Sequence, residues 1–292
     1  MISSSIIVLG VIGIIAAVLL FWAAKKFRVD EDPRILEIED MLPGANCGGC
    51  GLSGCHAFAV ACVKEGSLDN LNCVGVTSED MVRIGSIIGA VPPPSVKRRA
   101  RMKCQADCTL RDVHNHYAGT RSCLLANNLY MGETDCLYGC LGCGDCVRVC
   151  PFDALSIPEG HVLPVVDPDR CTACGRCVGA CPRNVIEIAE IHPDENQVWV
   201  ACGNKDRAPL AMKECSVACI GCSKCVRTCK HEAVTVNSFL AHIDSTKCVG
   251  CGECVEACPR KSIVIVKMAG DPKATTLGTE TETGTAPGSY NS

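Results

Sequence analysis

Four stretches of this chain repeat one arrangement of thiols. They are "CLGCGDCVRVCP" (140–151), "CTACGRCVGACP" (171–182), "CIGCSKCVRTCK" (219–230) and "CVGCGECVEACP" (248–259), which align without gaps as C-x2-C-x2-C-x3-C. Closely spaced thiolates in a tight loop reach three irons of a cubane cluster, and the loop cannot wrap the opposite corner, so the fourth ligand comes from elsewhere. Where two such runs hold two clusters, the fourth cysteine of each ligates the other cluster. The expected sets are Cys140, Cys143 and Cys146 with Cys181; Cys171, Cys174 and Cys177 with Cys150; Cys219, Cys222 and Cys225 with Cys258; and Cys248, Cys251 and Cys254 with Cys229. Lys230 replaces a proline that shapes the turn and ligates nothing.

A fifth group has different spacing. "NCGGCGLSGC" (46–55) places Cys47, Cys50 and Cys55 as C-x2-C-x4-C, and Cys73 follows after 17 residues. This three-plus-one pattern suits a cube held by another loop, and Gly48, Gly49, Gly51 and Gly54 supply backbone freedom. Structural zinc is the competing reading of this group taken alone. Next to the four runs the cube is favoured, which makes five [4Fe-4S] clusters.

The composition fits a scaffold of this kind. The chain has 292 residues, 27 cysteines, 4% aromatics and a net charge of −4. With so few large side chains, small modules need cross-links or inorganic cores. Disulfides would need an oxidising compartment, and the odd cysteine count and the two-residue spacings do not suit them. The weak negative charge gives no support for a nucleic-acid partner.

The elements that must position these thiols follow in order. Residues 1–26 read as an N-terminal transmembrane anchor: Ile6 to Ala24 is 19 residues of apolar or small type, about 28 Å as a helix and close to a hydrocarbon core. A signal peptide is the alternative, but it lacks a basic n-region and a good cleavage site. Lys25, Lys26 and Arg28 follow the span, so the positive-inside rule puts the rest of the chain in the cytoplasm.

Residues 27–90 read as a charged stalk and a 4Fe-4S domain. In it "HAFAVACVKEG" is helical with Gly66 as its stop, and "TSEDMVRIGSIIGA" opens on a capping box from Thr77 to Asp80. Residues 91–103 read as a Pro-rich and basic linker, in which "VKRRARMK" is a solvated or lipid-adjacent run or, less simply, a dock for an acidic protein. The segment 104–190 carries a cysteine-rich stretch and the first two-cluster module, and 191–268 the second. Inserts of 20 and 18 residues between paired runs read as small hairpins. Residues 269–292 read as a disordered tail. The fold class is therefore α+β: one transmembrane helix, a small four-cysteine cluster domain and two tandem bacterial-type ferredoxin modules.

Anchor, "LPGANCGGCGLSGC" domain and tandem ferredoxin modules, in that order, resemble the B subunits of Rnf complexes over residues 1 to about 268. Those complexes are membrane-bound ferredoxin:NAD oxidoreductases that move Na+ or H+. The resemblance implies a component that receives electrons from reduced soluble ferredoxin and relays them to other membrane subunits, with NAD and flavin handled elsewhere. The chain agrees in having no G-x-G-x-x-G after a strand and no nucleophile–base constellation. Its span carries no polar group to pass an ion, so ion coupling belongs to partners. The rival readings are a polyferredoxin of a hydrogenase or dehydrogenase, and a cluster-containing sensor.

Seven cysteines are left over. Cys104, Cys108, Cys123 and Cys136 either hold a sixth cluster or pack as small apolar residues, while Cys202 and Cys215 read as structural and Cys62 sits within the helical segment "HAFAVACVKEG" with no role assigned. His56 adjoins Cys55 and reads as a surface or packing residue before a tuner of the cluster. His114 and His116 read as exposed.

Overall fold

A computed structural model describes residues 2–26, 31–93, 96–107, 110–115, 118–191 and 196–266; the side chains of residues 2–9 and 24 lie outside that description. The expected tail, Cys108 and His116 also lie outside it.

Helix α1 (Ile2–Lys26) covers the apolar run. Its described side chains from Val11 to Trp22 are exposed on every face. Among the described residues no helix is long and apolar enough to cross a membrane, so the expected crossing is not established by the fold.

Three helices build the next unit. In α2 (Pro33–Met41) Asp32 caps the N-terminus by accepting the Arg34 N–H, and Pro33 occupies the first turn, where its missing N–H costs nothing. Helix α3 (Cys55–Glu65) ends where expected, because Gly66 takes the left-handed conformation at φ +62° and its N–H closes on the Cys62 carbonyl. Helix α4 (Ser78–Ile88) starts on the Thr77 cap, whose Oγ1 accepts from the Asp80 N–H at 3.2 Å. Ile35, Ile38, Phe58, Leu68, Met81 and Ile84 pack between the three helices, with Cys62 fully buried among them.

The remaining chain is two modules of one design. In the first, β1 (Arg98–Met102) comes before helices α5 (Cys123–Leu129) and α6 (Asp145–Arg148), the hairpin β2 (Leu155–Ser156) and β3 (Val165–Val166), helix α7 (Arg176–Ala180) and β4 (Ile186–Glu190). In the second, β5 (Gln197–Val200) comes before α8 (Ala208–Glu214), α9 (Lys224–Thr228), the hairpin β6 (Val234–Asn237) and β7 (Leu240–Ile243), α10 (Glu253–Ala257) and β8 (Ile263–Val266). Each module has an outer antiparallel pair, β1 with β4 and β5 with β8, and an inner hairpin, β2 with β3 and β6 with β7. The inserts between paired runs are therefore hairpins, as expected.

One expected boundary is corrected. Residues 98–102 of the presumed linker are β1, paired from Arg98↔Glu190 to Met102↔Ile186. Ala100 and Met102 point into the core, and Arg101 pairs with Glu187 at 2.6 Å. Alternation of long basic and small apolar residues is a strand pattern as well as a charge run, and here the strand needs its Arg and Lys stems to cover the module. The modules touch each other directly: Trp199 Nε1 donates to the Met102 carbonyl at 2.9 Å, and Ala211, Cys215 and Ala218 belong to the first module's core.

Candidate metal centres

In each run the residue before the third cysteine's turn has positive φ: Gly144 (+79°), Gly175 (+80°) and Gly252 (+79°), with Ser223 (+56°) in the third run. That reversal starts α6, α7, α10 and α9, and buries the third cysteines Cys146, Cys177, Cys254 and Cys225 in their first turns. Local chain geometry alone thus aims the third thiol of each run inward, while Cys222 and Cys251 stay exposed.

The structure places the fourth cysteine of each run beside its partner run. A cavity of about 380 Å3 is lined by Cys140, Cys146 and Cys181 together with Pro164 and Ile186. One of about 350 Å3 is lined by Cys219, Cys222, Cys225 and Cys258, and one of about 340 Å3 by Cys229, Cys248, Cys251 and Cys254. Burial pushes the Cys177 thiol up to about 11, helped by the neighbouring Cys171 and Cys174 and, more weakly, Cys150. Burial likewise lifts Cys140 to about 12 and Cys254 to about 11. Loading these sites with metal must displace protons.

The fourth cysteines share a further feature. Cys150, Cys181 and Cys258 each accept an N–H four residues on, from Ala154 (3.3 Å), Val185 (3.4 Å) and Ser262 (3.4 Å). Cys171 Sγ accepts from the Ala100 N–H of β1 at 3.4 Å. Hydrogen bonds to ligand sulfur are one of the levers that set cluster potential.

In the N-terminal unit Cys47, Cys50, Cys55 and Cys73 come together. Burial pushes Cys73 up to about 11, opposed by a backbone bond at Gly75, and the thiols of Cys50, Cys47 and Cys55 add to the rise. Asn46 braces the loop, accepting the Cys55 N–H at 2.8 Å and donating to the Gly44 carbonyl at 3.1 Å. Gly49 lies directly against the first module: a methyl there would stand 3.0 Å from Cys174 Cα and 2.7 Å from Val74 Cγ2. The Cys47 thiol is near enough to Cys174 to help raise it, after burial.

The leftover cysteines divide differently from expectation. Cys123 joins the Cys140 cavity and hydrogen-bonds Cys143, pushing that thiol up. Cys104 and Cys136 instead line a cavity with Cys202 and Cys215, two residues read as merely structural. The two pairs are 66 positions apart at their nearest, from Cys136 to Cys202, and the signal that could have found them is that Cys136 and Cys215 each stand four residues ahead of a run's first cysteine, Cys140 and Cys219. Cys62 is core, lifted to about 11 by burial. His56 is an exposed surface residue bonded to Glu39 at 2.7 Å, and His114 is exposed and paired with Asp135 at 3.1 Å.

Among the described residues no group of three or more His, Cys, Asp or Glu side chains converges on a single-ion position. A lone zinc with Zn–S bonds of about 2.3 Å would draw its sulfurs to roughly 3.8 Å from one another. Thiols gathered in threes and fours without such a single-ion position suit a larger inorganic core.

Comparison with known proteins agrees with that chemistry. Residues 139–194 and 218–262 match the model of the 4Fe-4S dicluster domain, and residues 42–73 that of a putative Fe-S cluster domain. The chain is 42% identical to the B subunit of the ion-translocating oxidoreductase complex of Methanosarcina acetivorans, over 84% of this chain and 90% of that one. It is 42% identical to the B subunit of the Na(+)-translocating ferredoxin:NAD(+) oxidoreductase complex of Acetobacterium woodii, over 82% and 71%. It is 36% identical to the B subunit of the proton-translocating ferredoxin:NAD(+) oxidoreductase complex of Clostridium ljungdahlii, over 82% and 84%. With multiple 4Fe-4S sites and this similarity along most of its length, the chain belongs to the family of B subunits of Rnf-type ion-translocating oxidoreductase complexes.

Proposed function

We propose that this chain is the electron-input arm of an Rnf-type complex, taking electrons from reduced ferredoxin and relaying them to the other membrane subunits. The observation that carries this reading is the contact of Gly49 with Cys174, with the Cys47 thiol close enough to be felt electrostatically by Cys174. It makes the N-terminal cysteine group continuous with the first module, and Trp199 and α8 join that module to the second.

The ligands in this reading are Cys47, Cys50, Cys55 and Cys73 for the N-terminal cluster. In the modules they are Cys140, Cys143, Cys146 and Cys181; Cys171, Cys174, Cys177 and Cys150; Cys219, Cys222, Cys225 and Cys258; and Cys248, Cys251, Cys254 and Cys229. When bound, a [4Fe-4S] cluster supplies reversible one-electron chemistry. The protein supplies position, a dry apolar surround and N–H donors to sulfur, here from Ala100, Ala154, Val185 and Ser262.

The anchor belongs to the same reading. Helix α1 has 25 residues, about 37 Å at 1.5 Å per residue, and a helix apolar all round calls for lipid or protein around it. Lys26 stacks over the Trp22 ring at 5.0 Å, a pairing suited to a headgroup boundary. With Lys25 and Lys26 on the cytoplasmic side, the cluster-bearing units face soluble ferredoxin.

Reduction of the anaerobically purified chain by low-potential ferredoxin, followed by electron paramagnetic resonance, tests the relay. Signals from reduced [4Fe-4S] centres are expected; a chain that ferredoxin leaves wholly oxidised would end the proposal. Carbonate-resistant retention in membranes, lost on deletion of residues 1–26, tests the anchor.

A further inference from the structure

Between the two modules lies a cavity of about 360 Å3 lined by Cys104, Cys136, Cys202 and Cys215. Its size, like that of the three cavities lined by the cysteine runs at about 350, 380 and 340 Å3, is shared by a polar cavity of about 340 Å3 at Arg101 and Glu190, so the four cysteines rather than the volume mark the site. Its four cysteines fall outside every segment matched by a family model.

Its sulfurs accept hydrogen bonds as the run cysteines do. Cys104 Sγ accepts from the Cys140 N–H at 3.5 Å, and Cys202 Sγ from the N–H groups of Cys219 at 3.3 Å and Asn204 at 3.4 Å. Asn204, 1% exposed, also directs Nδ2 at Cys136 Sγ at 3.6 Å. Donors aimed at sulfur favour the thiolate over the thiol.

A buried cation faces the same space. Arg111 is 7% exposed, lines the cavity and donates from Nη1 to the Cys140 carbonyl at 2.7 Å. Its Nε is buried with no hydrogen-bond partner among the described residues. A buried guanidinium beside uncharged thiols is costly, and an anionic group in the cavity offsets that cost. Gly139 keeps the approach open, since a methyl there would stand 3.0 Å from Arg111 Nη1 and 3.6 Å from Cys136 Sγ.

We propose that Cys104, Cys136, Cys202 and Cys215 hold a sixth [4Fe-4S] cluster that bridges the two ferredoxin modules. The proposal rests on the reading of the four runs as cluster ligands, and it replaces the sequence-based set of Cys104, Cys108, Cys123 and Cys136. Four thiolates around the core give the anion that Arg111 faces. The site is also placed as a bridge: Cys104 is one N–H from the first cysteine of the first module's opening run, and Cys202 one N–H from that of the second's. The cysteines come in two pairs, each just ahead of one module's first run, so the site is complete only when the modules pack together.

The test is iron and acid-labile sulfide per chain in the full-length protein, purified anaerobically, with iron-edge and zinc-edge anomalous scattering from the wild type. Six cubes predict about 24 iron atoms and five about 20. The wild type is expected near 24, the Cys136→Ser/Cys215→Ser variant near 20, and an iron peak should lie among the four sulfurs. A wild type near 20 with no iron peak in this cavity, or with a zinc-edge peak there, overturns the sixth cluster and leaves the other five standing. Iron near zero in the wild type would instead overturn the reading of the runs. The anomalous map of the wild type decides the matter even if the double variant does not fold.

Discussion

Gly49 and Cys174 touch backbone to backbone across the boundary between the N-terminal unit and the first ferredoxin module, so closely that a methyl on Gly49 would stand 3.0 Å from Cys174 Cα and 3.2 Å from its Cβ. Cys174 is a proposed ligand and Gly49 lies between two others, Cys47 and Cys50. The two units therefore meet at the cysteines themselves, with the Phe152 side chain of the first module also lying against Gly75.

Gly49→Val should push this contact apart. Overpacking of this kind costs about 1–3 kcal/mol, and it reaches the boundary because Cys174 Cα stands 3.0 Å from the added carbon. Iron content should be unchanged while ferredoxin-driven NAD reduction by the assembled complex falls at least several-fold. Full activity in that variant would show that electrons do not cross here.

Cross-pairing of the runs makes double variants informative. Cys181 lines the cavity of Cys140 and Cys146, so Cys140→Ser/Cys181→Ser should lose about four irons, one cube's worth. Cys171→Ser/Cys181→Ser should lose about eight, because the two ligands serve different cubes. The reverse, about eight irons lost from the first pair and about four from the second, would mean that each run closes its own cluster.

Ser223 holds φ +56° where the other three runs have glycine. A left-handed residue with a Cβ costs about 1–2 kcal/mol relative to the right-handed form, and glycine adopts it freely. Ser223→Gly should raise the guanidinium midpoint for bleaching of the cluster absorbance, by about 1 kcal/mol of stability after losing the 3.4 Å bond from Ser223 Oγ to the Gly221 carbonyl. A lowered midpoint would show that this bond outweighs the strain.

His56 ties α3 to α2 through Glu39. The hydrogen bond from the imidazolium to Glu39, then Glu39's charge, raises the histidine above its ordinary 6.5, with Glu31 adding weakly. A raised folded value stabilises the protein below pH 6.5 and is lost as pH rises through that value. The His56 midpoint, followed by nuclear magnetic resonance, should lie above 6.5 and move down in Glu39→Gln. An unchanged midpoint in the variant would remove Glu39 as the cause.

Much of this molecule was legible in short range. The runs of C-x2-C-x2-C-x3-C mark a local loop, and its glycine before the third cysteine determines the turn wherever it occurs. Gly66, the Thr77 cap and the two hairpin inserts are equally local, because a helix end or a tight turn is decided by a few adjacent residues. "VKRRARMK" misled because its charges are read more easily than its alternation, and whether such a run becomes a strand depends on a partner, β4, almost ninety residues away.

By itself, then, the sequence determined the cluster chemistry and the repeat of the runs, since both rest on spacings within a single loop, and it carried the expectation that the fourth cysteine of each run serves the other. Only the tertiary structure decided that Cys104 and Cys136 meet Cys202 and Cys215, that Cys123 belongs beside Cys143, and that Gly49 lies on Cys174. The first and last of those contacts arise from packing one unit against another and the Cys123 contact from folding within the first module, and contacts between segments far apart in the chain are not encoded by the spacing within one run.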